Sequence, residues 1–361
     1  MENLVNPKTL EYLYKGKRVF ITGHTGFKGS WLSEWLLLLG ATVKGYALLP
    51  ATHPNHYTIL DLSGKMDSVM ADIRDKSRLE EALLEFQPDY IFHLAAQPLV
   101  RRSYAIPAET FDVNVTGTAN LLESLIKLPK KCAVIVVTTD KVYENLEQDV
   151  LYKETDQLGG FDPYSTSKAC TELVVQSFRR AFFSPETYAL HGKTIGAARA
   201  GNVIGGGDYS EDRLVPDIIR ALEKNEVLKL RYPNSIRPWQ HVLEPLGGYL
   251  LWAGKLYEEG TDYSGAINFG PIASDHLTVS QVVDTAIRIL GKGSWQHDDA
   301  VSKPHESGIL KLDIQKAQQV LKWNPKWNAT QAIQQTLEWY ATDPLQQANI
   351  TRSQILNYMQ P

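Results

Sequence analysis

From Arg18 onward the chain repeats one pattern: a short apolar, β-branched run followed by a longer amphipathic stretch of helical period. Arg18 to Thr22, Thr42 to Leu48, Tyr90 to Ala96 and Cys132 to Thr139 read as strands. Repeated strand, helix, strand order demands crossovers, and crossovers leave successive strands parallel. The first half is therefore expected to be α/β, a doubly wound parallel sheet with helices on both faces. Pro129 closes a helix that begins near Asp112, and Asp162-Pro163 opens the next, which runs to about Phe183. A further apolar stretch, Thr194 to Ile204, breaks at Gly205-Gly206-Gly207-Asp208, where a second, smaller unit is expected to start. Ala266 to Phe269 again has strand character. The expected division is residues 1–200 with 239–272 returning to them, and 201–238 with 273–361 forming a smaller C-terminal α/β unit.

A length of 361 residues suits about two domains at roughly 150 residues each. The 37 Lys+Arg stand against 41 Asp+Glu, a net charge of −4 without a basic block, so nucleic acid is not an expected partner. The apolar stretch Trp35 to Gly40 is too short to span a membrane, and the opening Met-Glu-Asn-Leu-Val-Asn-Pro lacks the shape of a secretory signal. Cys132 and Cys170 have no paired spacing and are too few for a metal cage, so no metal is expected and both thiols are read as reduced, in the cytoplasm.

Thr22-Gly23-His24-Thr25-Gly26-Phe27-Lys28-Gly29 follows a strand and opens a helix, where glycines let backbone approach a pyrophosphate at the helix N-terminus. The second strand ends Tyr46-Ala47-Leu48, with no acid for a ribose diol and no arginine for a 2′-phosphate, which favours NAD over NADP. Asp72, beside Ile73 at the end of a third strand-like run, is a candidate acceptor for the adenine amino group or a surface turn. Tyr164 and Lys168 stand four residues apart, on one face of a helix, where the lysine charge and an oxidised nicotinamide would favour tyrosinate. Thr138-Thr139-Asp140-Lys141-Val142-Tyr143 falls at a strand's carboxyl end, the side on which open α/β sheets bind ligands. Each motif alone has a bland reading as a tight turn, a cap or a surface pair. Their order along one chain carries the functional reading.

These residues carry a resemblance over nearly the whole chain. The glycine turn, Asp72-Ile73, His93-Leu94-Ala95-Ala96-Gln97, Asn114 with Gly117-Thr118, Thr139-Asp140-Lys141, Tyr164 with Lys168, Arg199-Ala200-Gly201-Asn202-Val203 and Arg237-Pro238-Trp239-Gln240-His241-Val242 resemble the extended short-chain dehydrogenases/reductases. Within them the chain is similar to the nucleotide-sugar 4,6-dehydratases. Asp140 separates dehydratases from epimerases, and Lys141, a glutamate in the dTDP-glucose and GDP-mannose enzymes, points to the CDP-glucose member.

The resemblance implies a Rossmann-type fold, an NAD cofactor and a nucleotide-sugar substrate bound by the second unit. Gly23 to Gly29, Asp72, Ile73, Leu94, Ala95, Ala96, Asn114, Thr138, Tyr164 and Lys168 would hold NAD, and Gln97, Asn202, Arg237 and His305 would touch the substrate. Tyr164 would remove the 4-hydroxyl proton with Thr139 bonded to the same hydroxyl, and Asp140, protonated and buried at the strand end, would protonate the departing 6-hydroxyl. Lys141 would be either the base at carbon-5, if neutral, or the stabiliser of the enolate. His241 and Trp239 are read as packed rather than catalytic. Relatives pair the helices around Asp112 and Tyr164 between copies, so a homodimer or homotetramer is expected. The competing readings are a 4-epimerase, a dehydratase for another nucleotide, and a silent NAD-binding scaffold.

Overall fold

The computed structural model describes residues 4–298 and 308–360. Seven parallel strands form the central sheet: β1 (Arg18–Thr22), β2 (Thr42–Ala47), β3 (Asp67–Met70), β4 (Tyr90–His93), β5 (Cys132–Val137), β6 (Lys193–Ala200) and β7 (Gly265–Phe269). Their spatial order is β7-β6-β5-β4-β1-β2-β3. The chain runs outward from β1 to β3 and then returns to β4 on β1's other side, so the order reverses between β1 and β4. At such a reversal the flanking loops part and leave a crevice at the strands' carboxyl ends.

The strands are apolar throughout because both sheet faces are covered. Val19 and Ile21 of β1 join one core while Phe20 joins the other, and Ile135 and Val134 of β5 divide in the same way. A third apolar cluster, separate from these two, is built around Ile204, Ile218, Trp239, Val283, Ile333 and Leu337. Helix Pro163–Ala181 begins at the Asp162 cap, whose carboxylate accepts from Ser165 N. The strand Gly265–Phe269 returns to the sheet edge beside β6.

Three details differ from the sequence reading. β4 stops at His93 and β5 at Val137: Leu94 N and Thr138 N still donate to Thr22 O and Ala198 O, and beyond β4 the amides turn to side-chain acceptors. The Ala95 N–H donates to Thr22 Oγ1 at 3.2 Å, and Gln97 N–H to Asn114 Oδ1 at 2.8 Å. The helix expected near Asp112 begins earlier, at Pro107, and passes through a π turn, Asp112–Thr116, before Gly117–Ile126. The last helix, Gln347–Met359, bridges two elements: Trp339 Nε1 of helix Ala329–Ala341 donates to Thr351 Oγ1 at 2.8 Å, and its other side packs on helix Phe27–Leu38. Trp35 Nε1 donates to Met359 Sδ at 3.2 Å, and Arg352 pairs with the buried Glu34 at 2.6 Å.

Candidate functional site

The glycine turn is held by steric necessity. Gly23 has φ +78°, and a Cβ there would stand 2.6 Å from Ala95 N of the loop after β4. A Cβ on Gly29 would stand 2.1 Å from Gly23 O, so the helix start lies directly on the turn. Gly26 is different: it is exposed and its added Cβ would meet only Gly23 O, at 3.4 Å. It precedes helix Phe27–Leu38, which has no side-chain cap, so the first amides of that helix remain open to an anion. Thr25 Oγ1 donates to Leu48 O at 2.8 Å and ties the turn to the end of β2. Phe27 packs on the main core.

His24 and Lys28 leave the turn in opposite directions. The His24 ring is buried over Gly45 and edge-on to Tyr57 at 5.4 Å, and burial lowers its pKa to about 4. It is therefore an interior imidazole rather than a phosphate contact. Lys28 points into the crevice, where burial, and then Arg213, pull its ammonium down to about 7. Asp140, Lys141 and Lys168 lie within electrostatic reach of it.

Asp72 is engaged by Arg74, whose Nε and Nη2 donate at 3.0 and 2.6 Å and hold the carboxyl below its usual range. Ile73 is buried against Gly117. Leu94, Ala95 and Ala96 form the half-buried wall facing the glycine turn. Gln97 and Asn114 act as struts. The Gln97 amide donates to Leu99 O and Thr110 Oγ1 and accepts from Leu99 N, while Asn114 Nδ2 donates to Gln97 O at 3.2 Å and Ser167 Oγ at 2.8 Å. Asn114 sits in the π turn, an irregularity that often marks functional positions.

At the end of β5, Thr139 caps a single turn, Asp140–Val142. Thr139 Oγ1 donates to Asp140 Oδ1 at 2.9 Å, and Lys141 Nζ stands 3.5 Å from the same oxygen. Asp140 is 1% exposed and its Oδ2 has no hydrogen-bond partner. The Tyr164 hydroxyl is held against the Thr139 side chain, and burial pushes it up to about 12, opposed first by the Arg213 guanidinium. Lys168 Nζ donates to Val137 O at 3.1 Å, and burial lowers it to about 8. The cation that opposes this rise first is thus Arg213, a residue outside the Tyr164–Lys168 motif. Thr138 turns away: its hydroxyl donates to Glu172 Oε1 at 2.6 Å, behind the crevice.

On the opposite wall, Asn202, Arg213 and Arg237 line one cavity of about 170 Å³. Asn202 Oδ1 is buried without a partner, and Arg237 Nη1 donates to Ile236 O and Gly308 O at 3.0 and 3.3 Å. His241 packs between Trp31 and Trp327, with ring centroids 5.8 and 4.9 Å away, and Trp239 is buried in the third apolar cluster. His305 lies outside the described residues. Arg213 escapes a reading of the sequence, because nothing local to Asp212-Arg213-Leu214 indicates that its charge acts on Tyr164. Among the described residues no cluster could hold a metal ion, and no helix is long and apolar enough to cross a membrane.

A Rossmann-type sheet with this tyrosine, lysine and Thr-Asp-Lys arrangement matches, over residues 20–336, the family described as GDP-mannose 4,6 dehydratase. The chain belongs to this family of nucleotide-sugar 4,6-dehydratases. It is 49% identical over 327 residues to CDP-glucose 4,6-dehydratase of Salmonella typhimurium, covering 91% of each chain. The dTDP-glucose 4,6-dehydratase of the same organism is 26% identical, over 90% of this chain and 92% of that one. In fold, it is similar to a dTDP-glucose 4,6-dehydratase from Streptomyces venezuelae with NAD and TYD bound, at TM-score 0.77 and 24% identity over 90% of this chain and 96% of that one.

Proposed function

We propose that the protein is a CDP-D-glucose 4,6-dehydratase, converting CDP-D-glucose to CDP-4-keto-6-deoxy-D-glucose and water with NAD as a cofactor regenerated in each turnover. The observation that carries this reading is the run of contacts from Tyr164 through Thr139 to Asp140, with Lys141 beside it, across the crevice from the glycine turn. The 49% identity to the Salmonella enzyme supports the nucleotide and the sugar.

The room outside Gly26 and the uncapped helix amides suit a dinucleotide pyrophosphate. Bound there, NAD supplies the hydride acceptor for the sugar's carbon-4 and the hydride donor for carbon-6. Tyr164 takes the proton of the 4-hydroxyl, and Thr139 holds that oxygen by a hydrogen bond. Because burial raises the phenol, ionising it needs nearby positive charge, which Arg213 and Lys168 supply. A carbonyl at carbon-4 acidifies the hydrogen of carbon-5, so that hydrogen and the 6-hydroxyl can leave together as water. Asp140 delivers the proton to the departing hydroxyl, and its unpartnered Oδ2 is the oxygen placed to carry it. Lys141 serves carbon-5, as base in its neutral form or by holding the enolate oxygen as a cation.

Residues 201–238 and the chain after residue 273 supply the nucleotide-sugar side of the crevice, with Arg213 and Arg237 on the diphosphate. The exposed Tyr104, Ile126 and Leu173, on the helices around Asp112 and Tyr164, form the face by which the chain pairs into a homodimer or homotetramer. Two unpaired thiols suit the cytoplasm. The test is mass spectrometry of CDP-glucose incubated with the protein and NAD, beside the dTDP-, UDP- and GDP-sugars. Loss of one water from CDP-glucose without net NADH supports the reading. Isomerisation without change of mass points instead to an epimerase.

A further inference from the structure

Helix Leu214–Glu223 connects the reacting end of the crevice to its far end. Arg213 immediately precedes it, acting on Tyr164 and donating to Pro98 O at 3.1 Å. Asp217 stands one turn further along, its N–H closing on Arg213 O at 2.9 Å. Both line the cavity of about 170 Å³ that also takes in Arg237 and the strand Leu228–Leu230. A nucleotide-sugar with its sugar at Tyr164 and its diphosphate between Arg213 and Arg237 therefore carries its base past the first turn of this helix, toward Asp217. The inference rests on reading the crevice as a nucleotide-sugar site.

Asp217 is prepared for one kind of contact. Arg220 Nη2 donates to its Oδ1 at 2.6 Å and fixes the plane of the carboxylate, leaving the lone pairs of Oδ2 to a further donor. The neighbouring carboxylate in the cavity, Asp212, is occupied by Arg101 and Arg231 at 2.5 and 3.2 Å. An ionised carboxylate only accepts hydrogen bonds. Cytosine carries an amino donor at the ring position where uracil and thymine carry a carbonyl acceptor. A carboxylate facing that position accepts from the first and repels the other two.

We propose that Asp217 selects the base, with Oδ2 accepting a hydrogen bond from the exocyclic amino group of cytosine, and that Arg220 is the positioning residue for it. Titration calorimetry with cytidine and uridine diphosphates reads this selection without turnover. The wild-type protein is expected to bind cytidine diphosphate about 10- to 100-fold more tightly, the range of one hydrogen bond to a charged group. In Asp217→Asn the amide both donates and accepts, so the two affinities should converge. Equal affinities in the wild type, or an unchanged ratio in the variant, would overturn the proposal. Should the variant not fold, the wild-type protein with 2-pyrimidinone riboside diphosphate, which is cytidine diphosphate without its amino group, decides the matter: affinity lost by a similar factor supports Asp217, and undiminished affinity sinks it. Cytidine preference without dehydration of any sugar would strike the proposed reaction and leave base selection standing; dehydration of CDP-glucose without base preference would do the reverse.

Discussion

Arg199 and Glu172 form a two-pronged ion pair in the interior, with Nε to Oε1 at 3.0 Å and Nη2 to Oε2 at 3.1 Å, both side chains at most 2% exposed. Glu172 lies two turns beyond Tyr164 on the same helix, and Arg199 is on β6. The guanidinium also donates to Tyr143 OH and Glu154 O, and Glu172 accepts from Thr138. The pair thus fastens the helix carrying the proposed base to the strand ends that carry Asp140.

Removing one partner leaves a buried charge without its counter-ion, which costs about 3 to 5 kcal/mol. Glu172→Gln is therefore expected to lower the unfolding free energy, read from urea titration at pH 7.5, by an amount in that range. A loss below about 1 kcal/mol, the size of an exposed pair, would show that water reaches Arg199.

Tyr164→Phe removes the proposed base while keeping the ring that packs beside Thr139. Turnover of CDP-glucose is expected to fall by about 10²- to 10⁴-fold, the usual contribution of a positioned general base. Cofactor binding, followed by fluorescence quenching, should persist. Unchanged turnover would remove Tyr164 from the chemistry.

Lys141→Met separates the two halves of the reaction. Lys141 Nζ sits at Asp140, on the elimination side. Transient NADH absorbance should still form on mixing with CDP-glucose, while release of a carbon-5 deuterium label stops. Label loss at the wild-type rate contradicts both roles assigned to this lysine.

Four buried histidines set the acid limit of the fold. Burial lowers His24 to about 4 and His56, His93 and His241 to about 3, so all four are neutral in the folded chain. A folded pKa below the unfolded value gives stability present above about 6.5 and lost as pH falls toward the folded value. Glu244 works the other way: burial raises it to about 7 against the donors Trp327 N, Tyr358 OH and Lys326 N, so its contribution is present below about 4.5 and lost as pH rises through 7. Near pH 5.5 the unfolded chain binds roughly three more protons than the folded one, so stability should drop by about 4 kcal/mol per pH unit on acidification. Urea midpoints between pH 6.5 and 5 measure this slope, and Glu244→Gln should steepen it by about one proton. A flat profile would mean that the rings take up protons while folded.

The Thr22, His93 and Thr118 side chains illustrate the limit of reading along the chain. Thr22 Oγ1 and Thr118 Oγ1 lie 2.7 and 3.0 Å from the two ring nitrogens of His93, which joins β1, β4 and helix Gly117–Ile126 behind the crevice. Apolar periodicity places all three elements. It does not tell that these polar groups satisfy one another, so β4 reads three residues too long when its apolar run is followed to Ala96. Gln97 and Thr138 show the same thing at the site: both belong to site motifs, yet their side chains are spent on Thr110 and Leu99, and on Glu172.

Backbone sterics and local periodicity made the parallel sheet, the glycine turn and the shared face of Tyr164 and Lys168 legible in the sequence itself, because each depends on residues a few positions apart. Only the tertiary structure decided that His24 turns inward, that Lys28 turns into the crevice, and that the Arg213 charge, distant in sequence, acts on Tyr164. Where a charged or polar side chain ends is decided by which distant groups exclude water around it and which donors and acceptors remain for it there, and neither is written in its neighbours along the chain.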